Sequence, residues 1–183
     1  MAGHSKWAQI KRAKGANDAA RGRLFTRLGK EISVAVKLGG ADLNANAALR
    51  TAIAKAKANN MPNDNIDRCL KKDNSKTNYE SMTYEGYGIG GVAVLVETLT
   101  DNKNRTGPQV RAAFERNGGS LGVTGSVSFM FERDLEEVEG NIIEVWAPTY
   151  KVPVPPENEK AFEKMLDALD ECDDVQEVWH NAE

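Results

Sequence analysis

The 183-residue sequence predicts an α+β protein, a basic N-terminal three-helix bundle followed by an acidic, ferredoxin-like α/β sandwich. Two observations carry this reading. The apolar period changes from 3.6 to 2 residues after a polar run at 73–78, and the sign of the charge changes with it. Residues 1–75 hold 15 Lys+Arg against 6 Asp+Glu, a net of +9, whereas residues 76–183 hold 9 against 21, a net of −12. Two domains follow, 1–75 and 76–183.

Composition narrows the function classes. No run approaches the eighteen or so apolar residues that a membrane span needs, and the basic start lacks the apolar core of a secretion signal, so a cytoplasmic protein without a membrane partner is expected. Cys69 and Cys172 form neither a CxxC pair nor a disulfide framework and read as packing thiols.

The elements run in order. Residues 1–16 form a basic, Gly-containing arm without apolar period. Asn17 caps a helix to about position 38, closed by Gly39 and Gly40. Phe25, Leu28, Ile32, Ala35 and Val36 share one face of it, and Arg23, Arg27, Lys30 and Lys37 form a cationic ridge opposite. A second helix, about 45–59, sets Leu49, Ala52, Ile53 and Ala56 at core spacing and ends at Met61-Pro62; a third, about 63–72, buries Ile66 and Leu70. Beyond the linker, 82–87 and 92–98 read as strands, and Thr106-Gly107-Pro108-Gln109 as a capping box opening a helix that buries Val110, Ala113 and Phe114. A third strand is expected at 127–131, a fourth at 142–146 with an extension at 150–154, then a helix after Pro155 carrying Phe162, Met165, Leu166 and Leu169, and a final strand at 175–179.

Catalytic patterns are thin, and the chain reads as a non-enzyme with no catalytic residue, cofactor, metal or small-molecule substrate. Gly86, Gly88 and Gly91 satisfy G-x-G-x-x-G, but Val92 onward continues as a strand, whereas a dinucleotide fingerprint must open a helix. The two histidines, His4 and His180, stand far apart in sequence. Asp167, Asp170, Glu171, Asp173 and Asp174 lack the alternating ligands and central glycine of a calcium loop and read as a solvated face.

The site candidates are therefore the arm and the ridge. Lys6, Lys11, Arg12, Lys14, Arg21 and Arg23 are dense enough to track a phosphate backbone, since each neutralised phosphate releases counterions. Trp7 either stacks on an unpaired base or anchors the arm to the helices. No helix presents base-reading residues in the manner of a helix-turn-helix, so backbone or structured-RNA binding suits these residues better than sequence-specific reading of duplex DNA.

The opening Ala2-Gly3-His4-Ser5-Lys6-Trp7 with Ile10-Lys11 and Arg21-Gly22 resembles the start of the YebC/PmpR family. Asn60-Met61-Pro62, Tyr84-Glu85-Gly86-Tyr87-Gly88, Asn104-Arg105-Thr106, Gly125-Ser126 before Phe129-Met130-Phe131, and Asp173-Asp174-Val175-Gln176 continue the likeness in order. The resemblance implies a helical first domain, an α/β second domain, and a third domain inserted into the second. Only residues 132–141 separate the third and fourth expected strands here, so the inserted domain is expected to be missing. Proteins of the family are described as DNA-binding transcriptional regulators and as ribosome-associated translation factors that help elongation through proline-rich stretches. The expected function is accordingly a nucleic-acid-binding regulator. The first reading is a translation factor on ribosomal RNA and the ribosome, the alternative a DNA-binding transcriptional regulator. The expected contacts are His4, Ser5, Lys6, Trp7, Lys11, Arg12, Lys14, Arg21, Arg23, Arg27 and Lys30.

Overall fold

A computed structural model describes residues 18–71, 78–138 and 140–183. They divide into two compact units. One holds the described residues up to Tyr79 together with Leu135–Val145; the other holds Glu80–Asp134 with Trp146–Glu183. Among the described residues no helix is long and apolar enough to cross a membrane.

In the helical unit, α1 spans Asp18–Gly39, α2 Ala47–Ala58 and α3 Asn63–Lys71. Their apolar stripes meet in one core: Leu28, Ile32 and Ala35 from α1, Leu49, Ala52, Ile53 and Ala56 from α2, then Met61 and Ile66. Asn46 fixes how α1 hands over to α2. Its side-chain oxygen accepts from the Leu49 amide at 3.0 Å, capping α2. Its amide nitrogen donates to the carbonyls of Ala35 and Gly40, both at 2.8 Å, and so ties the last turn of α1 and the residue after it to the start of α2. Asn60, at φ 58°, stops α2, a left-handed conformation that asparagine tolerates better than most side chains. Pro62 then opens α3, its carbonyl accepting from the amides of Asn65 and Ile66.

The second unit is a two-layer sandwich. Strands β1 (Glu80–Tyr87) and β2 (Ala93–Thr100) pair antiparallel in register from Glu80↔Thr100 to Tyr87↔Ala93. The glycines of the G-x-G-x-x-G pattern lie in and beside the short 3-10 turn Ile89–Gly91 between them, where Gly90 and Gly91 both take φ 78°. Helix α4 (Lys103–Glu115), strand β3 (Ser120–Leu121), the hairpin strands β4 (Phe131–Val138) and β5 (Asn141–Pro148), of which Leu135–Val145 is grouped with the helical unit, helix α5 (Pro156–Asp170) and strand β6 (Val175–His180) follow. The main sheet has the order β3-β1-β2-β6, entirely antiparallel, so the opening hairpin lies at its centre.

Alternation along β2 sends its side chains to two covered faces. Val94 and Val96 join Val110, Ala113 and Phe114 of α4 and Phe162, Met165, Leu166 and Leu169 of α5 in one core. Removing a side chain such as Phe114, fully buried there, costs about 3–5 kcal/mol by the usual large-to-small rule. On the other face Glu97 accepts from two indoles, Trp146 Nε1 and Trp179 Nε1, each at 3.1 Å. The Arg133 guanidinium stacks over the Trp146 ring at 3.7 Å.

Four expectations from the sequence are corrected here. Helix α4 begins at Lys103, capped by the Asn102 side chain on the Arg105 amide, so Thr106 lies inside the helix and is wholly buried. The expected third strand is instead a loop and a 3-10 turn, Ser128–Met130. The cause is Glu85, whose buried carboxylate collects the amides of Gly125, Val127 and Ser128 at 2.7–2.8 Å and so removes them from any ladder. The hairpin β4–β5 forms its own two-stranded sheet and does not join the main one. The expected extension at 150–154 is an isolated bridge, Val152 with Ala182.

Candidate nucleic-acid interface

Of the expected contact residues, His4, Ser5, Lys6, Trp7, Lys11, Arg12 and Lys14 lie outside the described residues. The other four sit along α1. Arg21 projects into solvent and pairs with Asp18 Oδ1 at 3.3 Å, within the first helical turn. Such an exposed pair is worth little and leaves the cation available to a phosphate. Arg23 is half-buried. Lys30 is half-buried as well, with its ammonium 5.6 Å from the centre of the Tyr79 ring. Arg27 is only 8% exposed.

The burial of Arg27 corrects the expected ridge. A single apolar stripe implies that the opposite face is open, yet from Arg23 to Val36 only Thr26 is exposed. Apart from Thr26, the side chains along the middle of α1 are at least partly covered, so the opposite face does not present its cations as an open row. The exposed end of that face is Lys37, whose Nζ donates to the Asn78 side chain.

Exposed cations also lie where the sequence did not single them out. Lys57 on α2 and Arg68 and Lys71 on α3 are exposed. Arg68 and Lys71 stand three apart, which places them on neighbouring turns of one helix face. Arg50 is also exposed, but its guanidinium donates to the carbonyls of Leu43 and Asn44 at 2.6 and 3.1 Å and closes the loop before α2. Lys55 pairs with Glu31 at 3.0 Å between α2 and α1. The helical unit thus divides its basic residues between structural duty and open surface.

In the acidic unit, the cluster read as a solvated face is not uniform. Asp174 is 1% exposed and receives Arg105 Nη2 at 2.7 Å, Arg105 Nε at 3.0 Å and the Thr106 hydroxyl at 2.8 Å. Among the described residues, no group of three or more His, Cys, Asp or Glu is arranged to hold a metal ion. Burial pushes the His180 imidazole down to about 4, and its ring stands edge-on to Phe162 at 5.2 Å, so this histidine is part of the packing between α5 and β6.

Residues 5–76 match the model of the TACO1/YebC protein N-terminal domain, and residues 79–136 and 135–182 match that of the TACO1/YebC second and third domain. The chain belongs to the TACO1/YebC family. Relatives agree along its whole length. A probable transcriptional regulatory protein of Clostridium beijerinckii is 44% identical, the comparison covering 100% of this chain and 97% of the relative. A similarly named protein of Bacillus subtilis is 42% identical over 99% of each. The crystal structure of a conserved hypothetical protein from Aquifex aeolicus superposes with a TM-score of 0.78 at 35% identity, covering 91% of both chains.

The same comparisons locate an internal loss. The second-and-third-domain model matches in two pieces that meet at residues 135 and 136, on strand β4. The comparison with the Clostridium beijerinckii relative runs over 238 positions, 55 more than the 183 residues of this chain. A segment of about that length is absent here, and the hairpin β4–β5 closes the gap. At its base, Arg133 stacks on Trp146, and the Trp146 indole is held by Glu97.

Proposed function

We propose that this chain is a non-enzymatic, nucleic-acid-binding regulator of gene expression that works in the cytoplasm and engages its target through the basic N-terminal part. The charge division carries the reading. A net of +9 over residues 1–75 against −12 over 76–183 favours a polyanion along the first part of the sequence and repels it from much of the second. The arm residues Lys6, Trp7, Lys11, Arg12 and Lys14 with Arg21 are the leading contacts, and Lys57, Arg68 and Lys71 extend the exposed positive surface.

Of the finer readings, a translation factor on ribosomal RNA, aiding elongation through proline-rich stretches, suits the helical unit better than a reader of duplex DNA. Helix α3 follows α2 after a four-residue turn and is the helix that a helix-turn-helix would present. A recognition helix reads bases from its N-terminal residues, and the exposed first half of α3 carries Asp64 and Asp67, which phosphates repel, while Arg68 and Lys71 lie toward its other end. The transcriptional reading draws on the names of the relatives. Sedimentation of tagged protein from lysate at moderate and high salt, with nuclease-treated controls, separates the two. Co-migration with ribosomes that is lost at high salt supports the translation factor. Absence from ribosomal fractions, with recovery on DNA, supports the transcriptional regulator.

A further inference from the structure

The acidic unit contains two long stretches without a carboxylate. Residues 116–131 and residues 145–156 hold none, so the 21 acidic residues of 76–183 all fall elsewhere in that part. The fold joins the two stretches at one point: the amide and hydroxyl of Thr149 both donate to the Met130 carbonyl, at 2.9 and 3.0 Å. One residue to either side of that junction stand two open aromatics, Phe129 at 69% exposure and Tyr150 at 50%. Val123, in the first stretch, is 78% exposed, and Lys151 is exposed beside Tyr150.

The loop that carries Phe129 is held firmly. Burial alone would raise the Glu85 carboxyl, but the amides of Gly125, Val127 and Ser128 outweigh it and keep the group below its ordinary value, hence charged. Glu85 thus grips the loop through three charge-assisted bonds, and the Tyr87 hydroxyl adds a fourth tie by donating to the Ser126 carbonyl at 3.0 Å. A loop so fixed gains nothing for folding from a phenyl ring left in water. An aromatic presented in advance, by contrast, spares a ligand the cost of ordering it.

We propose that Phe129 and Tyr150 form a second nucleic-acid contact, a platform on which unpaired bases stack while Lys151 meets the adjoining phosphate. The inference rests on the nucleic-acid reading above and adds the class of target: a strand with unpaired bases. Aromatic faces beside a cation suit such a strand, and neither stretch adds a carboxylate of its own, although Glu183, whose amide donates to the Val152 carbonyl, lies beside Lys151.

The test uses the full chain and a labelled RNA of about 20 nucleotides, offered single-stranded and as its duplex. Phe129→Ala with Tyr150→Ala should weaken single-strand binding roughly tenfold or more, leave duplex binding and its salt slope unchanged, and recover when Phe129 is instead made Trp. Both side chains are at least half exposed, so thermal melting should match the parent. Unchanged single-strand affinity in the double variant overturns the platform alone, as does an equal loss on both probes. A parent chain that binds neither probe overturns the nucleic-acid reading itself.

Discussion

Arg105 reaches from the first turn of α4 to Asp174, immediately before β6, and places Nη2 2.7 Å and Nε 3.0 Å from the buried carboxylate. The partners are unequal, because the Asp174 side chain is 1% exposed and that of Arg105 43%. Thr106 and Thr100 complete the shell with hydroxyls at 2.8 and 3.2 Å, and Asp101 holds the same guanidinium at 2.8 Å.

Removing the cation should therefore cost more than neutralising the anion. Arg105→Ala strands a buried charge and is expected to cost about 3 kcal/mol, at the low end for such pairs because the carboxylate keeps its two hydroxyls. Asp174→Asn should cost less, since the freed Arg105 retains Asp101 and solvent. The double variant should be more stable than the sum of the single losses predicts, and urea denaturation of all three measures the coupling.

Asn46 supplies a second prediction. Asn46→Ala loses the cap on α2 and two donors to the end of α1, a loss of about 2 kcal/mol. Asn46→Asp should not rescue it. Aspartate caps as well as asparagine but cannot donate to the carbonyls of Ala35 and Gly40. A chemical-denaturation midpoint for Asp equal to that of the parent would show that capping alone matters.

His180 should make stability depend on pH. Its folded value is near 4 against an ordinary 6.5, so between those values the unfolded chain binds the proton and the fold does not. Stability is then fully present above about 6.5 and falls by roughly 3 kcal/mol as pH drops toward 4. His180→Phe should flatten that part of the profile, and denaturation at neutral and mildly acidic pH checks it.

Where side chains repeat with a clean period, the sequence was legible. The stripe Phe162, Met165, Leu166, Leu169 placed α5, and the change of period marked the passage from helices to strands. What stayed hidden was set by single polar side chains acting over long separations. Nothing near Val127 signals that Glu85, 42 residues earlier, takes its amide and prevents a strand. Nothing near Asp174 signals Arg105, 69 residues away. A strand as short as Ser120–Leu121 shows no period at all. The α1 ridge misled for a related reason: angular spacing finds the most apolar face of a helix but not whether the opposite face is also covered, as at Arg27. The motifs that carried the family likeness include Glu85, Arg105, Thr106 and Asp174, which the fold uses to hold its loops and helix ends.

Binding of a polyanion by the basic N-terminal part makes affinity depend steeply on salt. Titrating the full chain and its Lys11→Ala, Arg12→Ala, Lys14→Ala variant against one labelled RNA across a salt series gives the slope of log K on log salt for each. The variant should bind more weakly, with a slope shallower by about 0.7–0.9 for every phosphate contact removed. Equal affinity and equal slope for parent and variant would contradict that binding.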